Sequence, residues 1–140
     1  MSINSSNEQR RQILLDAKNI AVVGCSDNPE RTSYMIAEAL QQAGYRVFPV
    51  NPKLTSPVLG EQPYASVADI PEQVDIVDVF RRSEYVLPVA EDAIKANAKV
   101  LWLQQGIVHE EAAQLAVENG LQVVQDHCIK VDHAVLVGKK

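Results

Sequence analysis

The chain has 140 residues, enough for one domain with a real hydrophobic core. Its formal net charge is −5 with no basic run, which argues against nucleic acid and anionic membranes as partners and leaves any anion site to a few local cations and helix ends. No apolar stretch approaches the ~18 residues of a membrane-spanning helix, the polar start does not read as a secretory leader, and Cys25 and Cys128 have no metal-site spacing, so reduced thiols in the cytoplasm are expected.

Residues 5–18 read as a short amphipathic helix, with Ser5 and Glu8 at capping-box spacing and Ile13, Leu14 and Ala17 on its apolar face. The run Ile20-Ala21-Val22-Val23 is short, apolar and β-branched, as in a central strand buried on both faces. Gly24-Cys25-Ser26 ends it, and Asp27-Asn28-Pro29-Glu30-Arg31 continues neither a strand nor a helix. Thr32 or Ser33 is placed to cap a helix whose stripe is Ile36, Ala39, Leu40 and Ala43, stopped by Gly44. A second strand over 46–50 ends at Asn51-Pro52-Lys53, followed by an irregular connection containing Pro57, Gly60 and Pro63 and a helical turn near 66–70. A third strand over 75–80 ends in Arg81-Arg82. A helix opens at Ser83 or Glu84 and runs to about 97; Pro88, tolerated only in a first turn, leaves its start open. A fourth strand over 99–103 precedes Gln104-Gln105-Gly106, a helix over 109–119 stops at Gly120, and a fifth strand covers 121–125. Residues 126–140 form a tail in which Ala134-Val135-Leu136-Val137 packs or pairs.

Strands alternating with helices predict an α/β fold: a doubly wound, Rossmann-like parallel sheet of about five strands with helices on both faces. The order expected is 3-2-1-4-5, in a single domain over 1–140, with ligands beyond the strand carboxyl ends at a switch point between strands 1 and 4. In that order neighbouring strands 2 and 3 deliver Lys53, Arg81 and Arg82 to one rim. A strand, a polar loop and a helix N-terminus form an arrangement that holds phosphate. The loop lacks both G-x-G-x-x-G and the P-loop pattern, and strand 2 ends in Asn, Pro and Lys where a dinucleotide fold carries an acidic residue for the ribose. A cation there suits a phosphate better than a bare ribose.

The ordered set V-V-G-C-S, D-N-P-E-R-T-S-Y, V-N-P-K, V-D-V-F-R-R, W-L-Q-Q-G and D-H-C-I-K resembles the small single-domain CoA-binding proteins, which are similar to the N-terminal domain of the succinyl-CoA synthetase α subunit. That resemblance implies a Rossmann-like domain holding coenzyme A or an acyl-CoA after strand 1. It implies that Gly24, Cys25 and Ser26 let the backbone approach the diphosphate, with Arg31, Thr32 and Ser33 completing the anion site. Val50, Asn51, Pro52 and Lys53 would border the adenosine; Phe80, Arg81 and Arg82 would lie along the nucleotide or pantetheine; Gln104, Gln105 and Gly106 would close the far side. The chain departs from the family at Cys25, where alanine is usual and a thiol is expected in the pocket wall, and at His127, where arginine is usual.

Outside the resemblance, Trp102 reads as core, His109 as a helix-start residue, His133 as part of the tail and Cys128 as a buried structural thiol. Cys25 is the better reactive candidate, because a helix N-terminus favours a thiolate. No triad, carboxylate pair or metal cluster stands out, so the expectation is a non-catalytic CoA-binding module. The alternatives are an NAD(P)- or other nucleotide-dependent enzyme on the same fold, and an interaction domain with a vestigial pocket.

Overall fold

The structure, a computed structural model, describes residues 5–138; the first four residues of the polar start and the last two of the tail lie outside them. Helix α1 (Asn7–Asp16) precedes β1 (Asn19–Val23), α2 (Thr32–Gln42) and β2 (Arg46–Val50). Then come β3 (Ile76–Val79), α3 (Val86–Lys95), β4 (Val100–Leu103), α4 (Glu110–Glu118), β5 (Gln122–Val124), α5 (Ile129–Asp132) and a π-helical turn, His133–Val137. The five strands form one parallel sheet with helices on both faces. This is the Rossmann-like class that the alternation of apolar strands and amphipathic helices dictates. No helix among the described residues is long and apolar enough to cross a membrane.

The strand order is β2-β1-β3-β4-β5, which corrects the expected 3-2-1-4-5. Two local features enforce it. Pro49 lies inside β2, and its carbonyl points away from β1, accepting from the Tyr64 N–H at 2.9 Å. The missing N–H of Pro49 points the same way, so β2 is suited to an edge and not to an interior position. The connection over 51–75 then passes around that edge at Tyr64. Its early residues Leu54 and Val58 pack on the α2 face, whereas Val67, Ile70 and Val74 pack on the opposite one. With right-handed crossovers, a connection that changes face must return the chain past β1. The switch point therefore lies between β1 and β3, and Lys53 is separated from Arg81 and Arg82 by the width of β1.

Side chains alternate across the strands and divide the core in two. Ala21, Val23, Val77, Val79, Leu101 and Leu103 meet α3 and α4. Ile20, Val22, Ile76, Val100 and Trp102 meet α1, α2 and α5. Only one crossover helix, α2, lies on this second face, and the two ends of the chain cover the remainder. Buried Arg10 of α1 pairs with Asp132 of α5 at 3.0 Å, and His127 approaches the same carboxylate at 3.3 Å. The capping box of α1 is Ser6 with Gln9, one residue later than expected: Ser6 Oγ accepts from Gln9 N at 3.1 Å, and Gln9 Oε1 accepts from Ser6 N at 2.8 Å. Ser5 instead receives the Arg10 guanidinium at its carbonyl, 2.6 Å, and its hydroxyl, 3.0 Å. The 134–137 stretch packs as a helical turn against α1.

One residue contradicts its surroundings. Asp78, in the middle of β3 between Val22 and Trp102, is fully buried, and neither carboxyl oxygen has a hydrogen-bond partner. Burial raises its pKa well above the usual carboxylate range. The native state therefore keeps a proton that the unfolded chain releases above pH ~4. Stability falls as pH rises from there towards the native pKa, by up to about 1.4 kcal/mol per pH unit. Asp78→Asn carries no such proton, so its melting temperature is expected to gain on the wild type as pH rises above about 4. Thermal melts across that range read the gap; a gap independent of pH would contradict a protonated Asp78.

Candidate ligand cleft at the strand carboxyl ends

The site is built on a close approach. The Gly24 N–H donates to Val50 O at 2.8 Å, and the Phe80 N–H donates to Val23 O at 2.8 Å, so β1 is held between β2 and β3 to its last residue. Gly24 then turns with φ of +83°, and a Cβ there would lie 2.6 Å from the Phe80 carbonyl oxygen and 3.5 Å from Arg81 Nε. Only glycine allows both the left-handed backbone and this contact.

Local hydrogen bonds shape the loop that follows. Ser33 Oγ accepts from Ser26 N, Ser26 Oγ from Asn28 N, and Asn28 Oδ1 from Glu30 N, each at 3.0 Å. Asn51 ties the loop to the end of β2. Its Nδ2 donates to Cys25 O at 3.0 Å, and its Oδ1 accepts from Lys53 N at 3.1 Å. The expected capping of α2 by Thr32 or Ser33 does not occur: the helix begins at Thr32, Arg31 holds the cap position and offers no acceptor, and the Ser33 hydroxyl accepts from Ser26 N in the loop. By contrast, α1 is capped by Ser6, and α4 by His109, whose Nδ1 accepts from Ala112 N at 3.0 Å. The first N–H groups of α2, with the positive end of its dipole, therefore open onto a cleft.

That cleft has a volume of about 620 Å³ and is lined by Gly24, Ser26, Arg31, Thr32, Ser33, Asn51, Lys53 and Phe80, together with Asp27, Glu30 and Leu54, which sequence reasoning missed. A second cleft, of about 460 Å³, meets the first at Thr32 and Phe80. It is lined by Arg81, Arg82, Gln104 and Gln105, and also by Ile36, Ile107 and Cys128. Ile36 was legible as the residue one helical turn beyond Thr32; Ile107 carried no signal of its own.

Four expected residues line neither cleft. Val50 is buried under the end of β2; Pro52 and Gly106 are exposed. The fourth, Cys25, gives the loop its backbone, but its side chain lies in the core of the α2 face and not in a pocket wall. Burial, with smaller contributions from the Asp78 and Asp27 carboxyls, pushes its thiol up to about 11, opposite to the activation expected of a helix-end cysteine. Cys128 is the half-exposed thiol, set in the second cleft and not buried as a structural residue. Gln104 is buried, and its Oε1 accepts from Ile129 N at 3.0 Å. Arg82 is exposed beside Glu84 at 4.0 Å. Among the described residues, no group of three His, Cys, Asp or Glu side chains could hold a metal ion.

Comparison with known proteins places these features in a family. A model described as a CoA binding domain matches residues 18–134. The uncharacterised protein YneT of Bacillus subtilis is 48% identical over 132 residues, covering 94% of this chain and 97% of its own. The ADP-forming 4-hydroxybutyrate–CoA ligase of Nitrosopumilus maritimus is 29% identical over 130 residues; the match covers 84% of this chain but 18% of the ligase. Among solved structures, a hypothetical protein of Pyrococcus horikoshii superimposes with a TM-score of 0.92 at 40% identity, covering 97% of this chain and 95% of that one. The apo acetyl-coenzyme A synthetase 1 of Ca. Korarchaeum cryptofilum gives 0.67 at 29% identity, covering 76% of this chain and 25% of the synthetase. The module thus stands nearly alone in some relatives and as a minor part of ligases in others.

The Gly24 contact is open to direct test. Gly24→Ala combines a left-handed alanine with a Cβ in contact with backbone, and is expected to cost about 2–4 kcal/mol, from overpacking and conformational strain together. Denaturant melts measure the loss. A variant as stable as the wild type would contradict the approach of β1 to Phe80.

Proposed function

The chain belongs to the CoA-binding domain family, and on that premise we propose that it holds coenzyme A or a short acyl-CoA at the carboxyl ends of β1, β2 and β3, without catalysing a reaction by itself. The observation that carries this reading is the uncapped N-terminus of α2, which opens beside Gly24 on a cleft of about 620 Å³. Backbone N–H groups there meet a diphosphate as they meet other anions at helix ends. Arg31, Thr32 and Ser33 stand at the same end of the cleft, and Arg81 leans over Gly24. The adenosine lies by Asn51 and Lys53, while Gln104 and Gln105 bound the far side.

Local charge supports backbone recognition more than simple Coulomb attraction. In the first cleft Arg31 and Lys53 are matched by Asp27 and Glu30. The first N–H groups of α2 therefore supply the excess of positive potential. A dinucleotide reading is weaker, since the residue at the end of β2 is Asn51, whose side chain is committed to Cys25 O and Lys53 N. That leaves no carboxylate at this position for a ribose diol.

The corrected strand order separates the cations, and with them their roles. Lys53 stands on the β2 side, where the 3′-phosphate of the ribose would lie; Arg81 stands over the diphosphate loop. Charge-assisted hydrogen bonds to phosphate contribute roughly 1.5–3 kcal/mol, or tenfold to a hundredfold in affinity. Titration calorimetry with CoA and 3′-dephospho-CoA separates the two. Arg81→Ala is expected to weaken both ligands by at least about tenfold, whereas Lys53→Ala weakens CoA about tenfold and leaves dephospho-CoA nearly unchanged. Failure of the wild type to bind CoA would overturn the proposal; equal loss of both ligands in Lys53→Ala would remove Lys53 as the reader of the 3′-phosphate.

A further inference from the structure

The nucleotide contacts proposed above use the second cleft only at Arg81, Gln104 and Gln105 and leave its apolar wall unused. Its volume of about 460 Å³ falls within the range of small-molecule sites. Its polar groups are committed or peripheral. Gln104 is buried and gives its Oε1 to Ile129 N, Arg82 and Gln105 are exposed, and Arg81 leans back over Gly24. What remains for a ligand is apolar: Ile36 from α2, Phe80 beyond β3, Ile107 from the connection before α4, and the Cys128 thiol. Because this cleft meets the polar one at Thr32 and Phe80, a single ligand with an anionic head and an apolar end can lie across both.

Resting on the reading that the polar cleft takes the CoA nucleotide, we infer that the second cleft holds the acyl end of an acyl-CoA, and that the chain prefers unbranched apolar acyl groups to free CoA. The preference follows from burial. Methylenes against Ile36, Phe80 and Ile107 leave water, whereas a terminal carboxylate there gives up its solvation for at most Arg82, a solvated rim cation already beside Glu84 at 4.0 Å. An acidic acyl group is therefore discriminated against.

Calorimetry of the full chain with CoA, butyryl-CoA, hexanoyl-CoA and succinyl-CoA tests this. Affinity is expected to rise about fourfold for each methylene that becomes buried. Butyryl-CoA is expected to bind at least about tenfold more tightly than succinyl-CoA, which has the same carbon chain ending in a carboxylate. Ile107→Ala, at a half-buried residue of the connection before α4, is expected to flatten the series, with melts of the free variant confirming that it is folded. A second readout needs no substitution. Cys128 is the more exposed thiol while Cys25 is fully buried, so hexanoyl-CoA is expected to slow alkylation of Cys128 more than acetyl-CoA does, both being thioesters that do not consume the reagent. Binding of CoA with a flat or falling series, tighter binding of succinyl-CoA, or equal protection of Cys128 by acetyl-CoA and hexanoyl-CoA would each overturn this inference and leave the CoA reading in place. No binding by any of the four would remove both.

Discussion

The absence of a side chain at Gly24 lets the end of β1 come against the Phe80 carbonyl, 2.6 Å from where a Cβ would stand. The site follows from that approach. It joins β1 and β3 at the point where the connections leaving the two strands go to opposite faces, so a crevice opens between them. It sets the 24–31 loop beside the end of β3 and turns α2 so that its uncapped first turn faces the same crevice. It also puts Phe80 on the boundary between a polar and an apolar cleft.

The second support of the site is the chain's own tail. Since α2 is the one crossover helix on its face, the rest of that face depends on α1 and α5, held together by Arg10 and Asp132. The α5 segment is tied to the sheet where the clefts form. Trp102 Nε1 donates to His127 O at 2.9 Å, and Ile129 N donates to Gln104 Oε1 at 3.0 Å. These bonds make Cys128 part of the wall of the second cleft. Residues far apart in the chain thus share one duty: α1 holds α5, and α5 completes a surface that the β-α loops leave open.

Much of this was legible in the amino-acid order. The strands announced themselves as short β-branched runs, and Gly44, His109 and Gly120 marked helix ends through local chemistry. Trp102 followed from its apolar strand. The strand order was harder, because periodicity says which segments are strands and not which are neighbours. Pro49 held the needed information, but only the direction of its carbonyl shows that the missing N–H faces the open edge. Cys25 misled for a similar reason: being near a helix N-terminus in sequence says nothing of which way the thiol turns, and it turns inward, where burial suppresses ionisation. Ser33 looked like a helix cap, but the helix begins one residue before it with Arg31 at the cap, and a guanidinium has no acceptor, so the helix end is free for an anion.

The central claim is that an anion of the CoA type sits on the α2 N-terminus, beyond the carboxyl ends of the strands. Amide-resolved NMR of the full chain, titrated with CoA, tests it most directly. The largest shift changes are expected at the amides of Gly24, Ser26, Thr32 and Ser33, followed by Lys53 and Arg81. The groove at the other end of the sheet, lined by Gln9, Ile13, Lys99 and Gln122, is expected to stay unchanged. Shifts concentrated in that groove, with the α2 amides unmoved, would contradict the account.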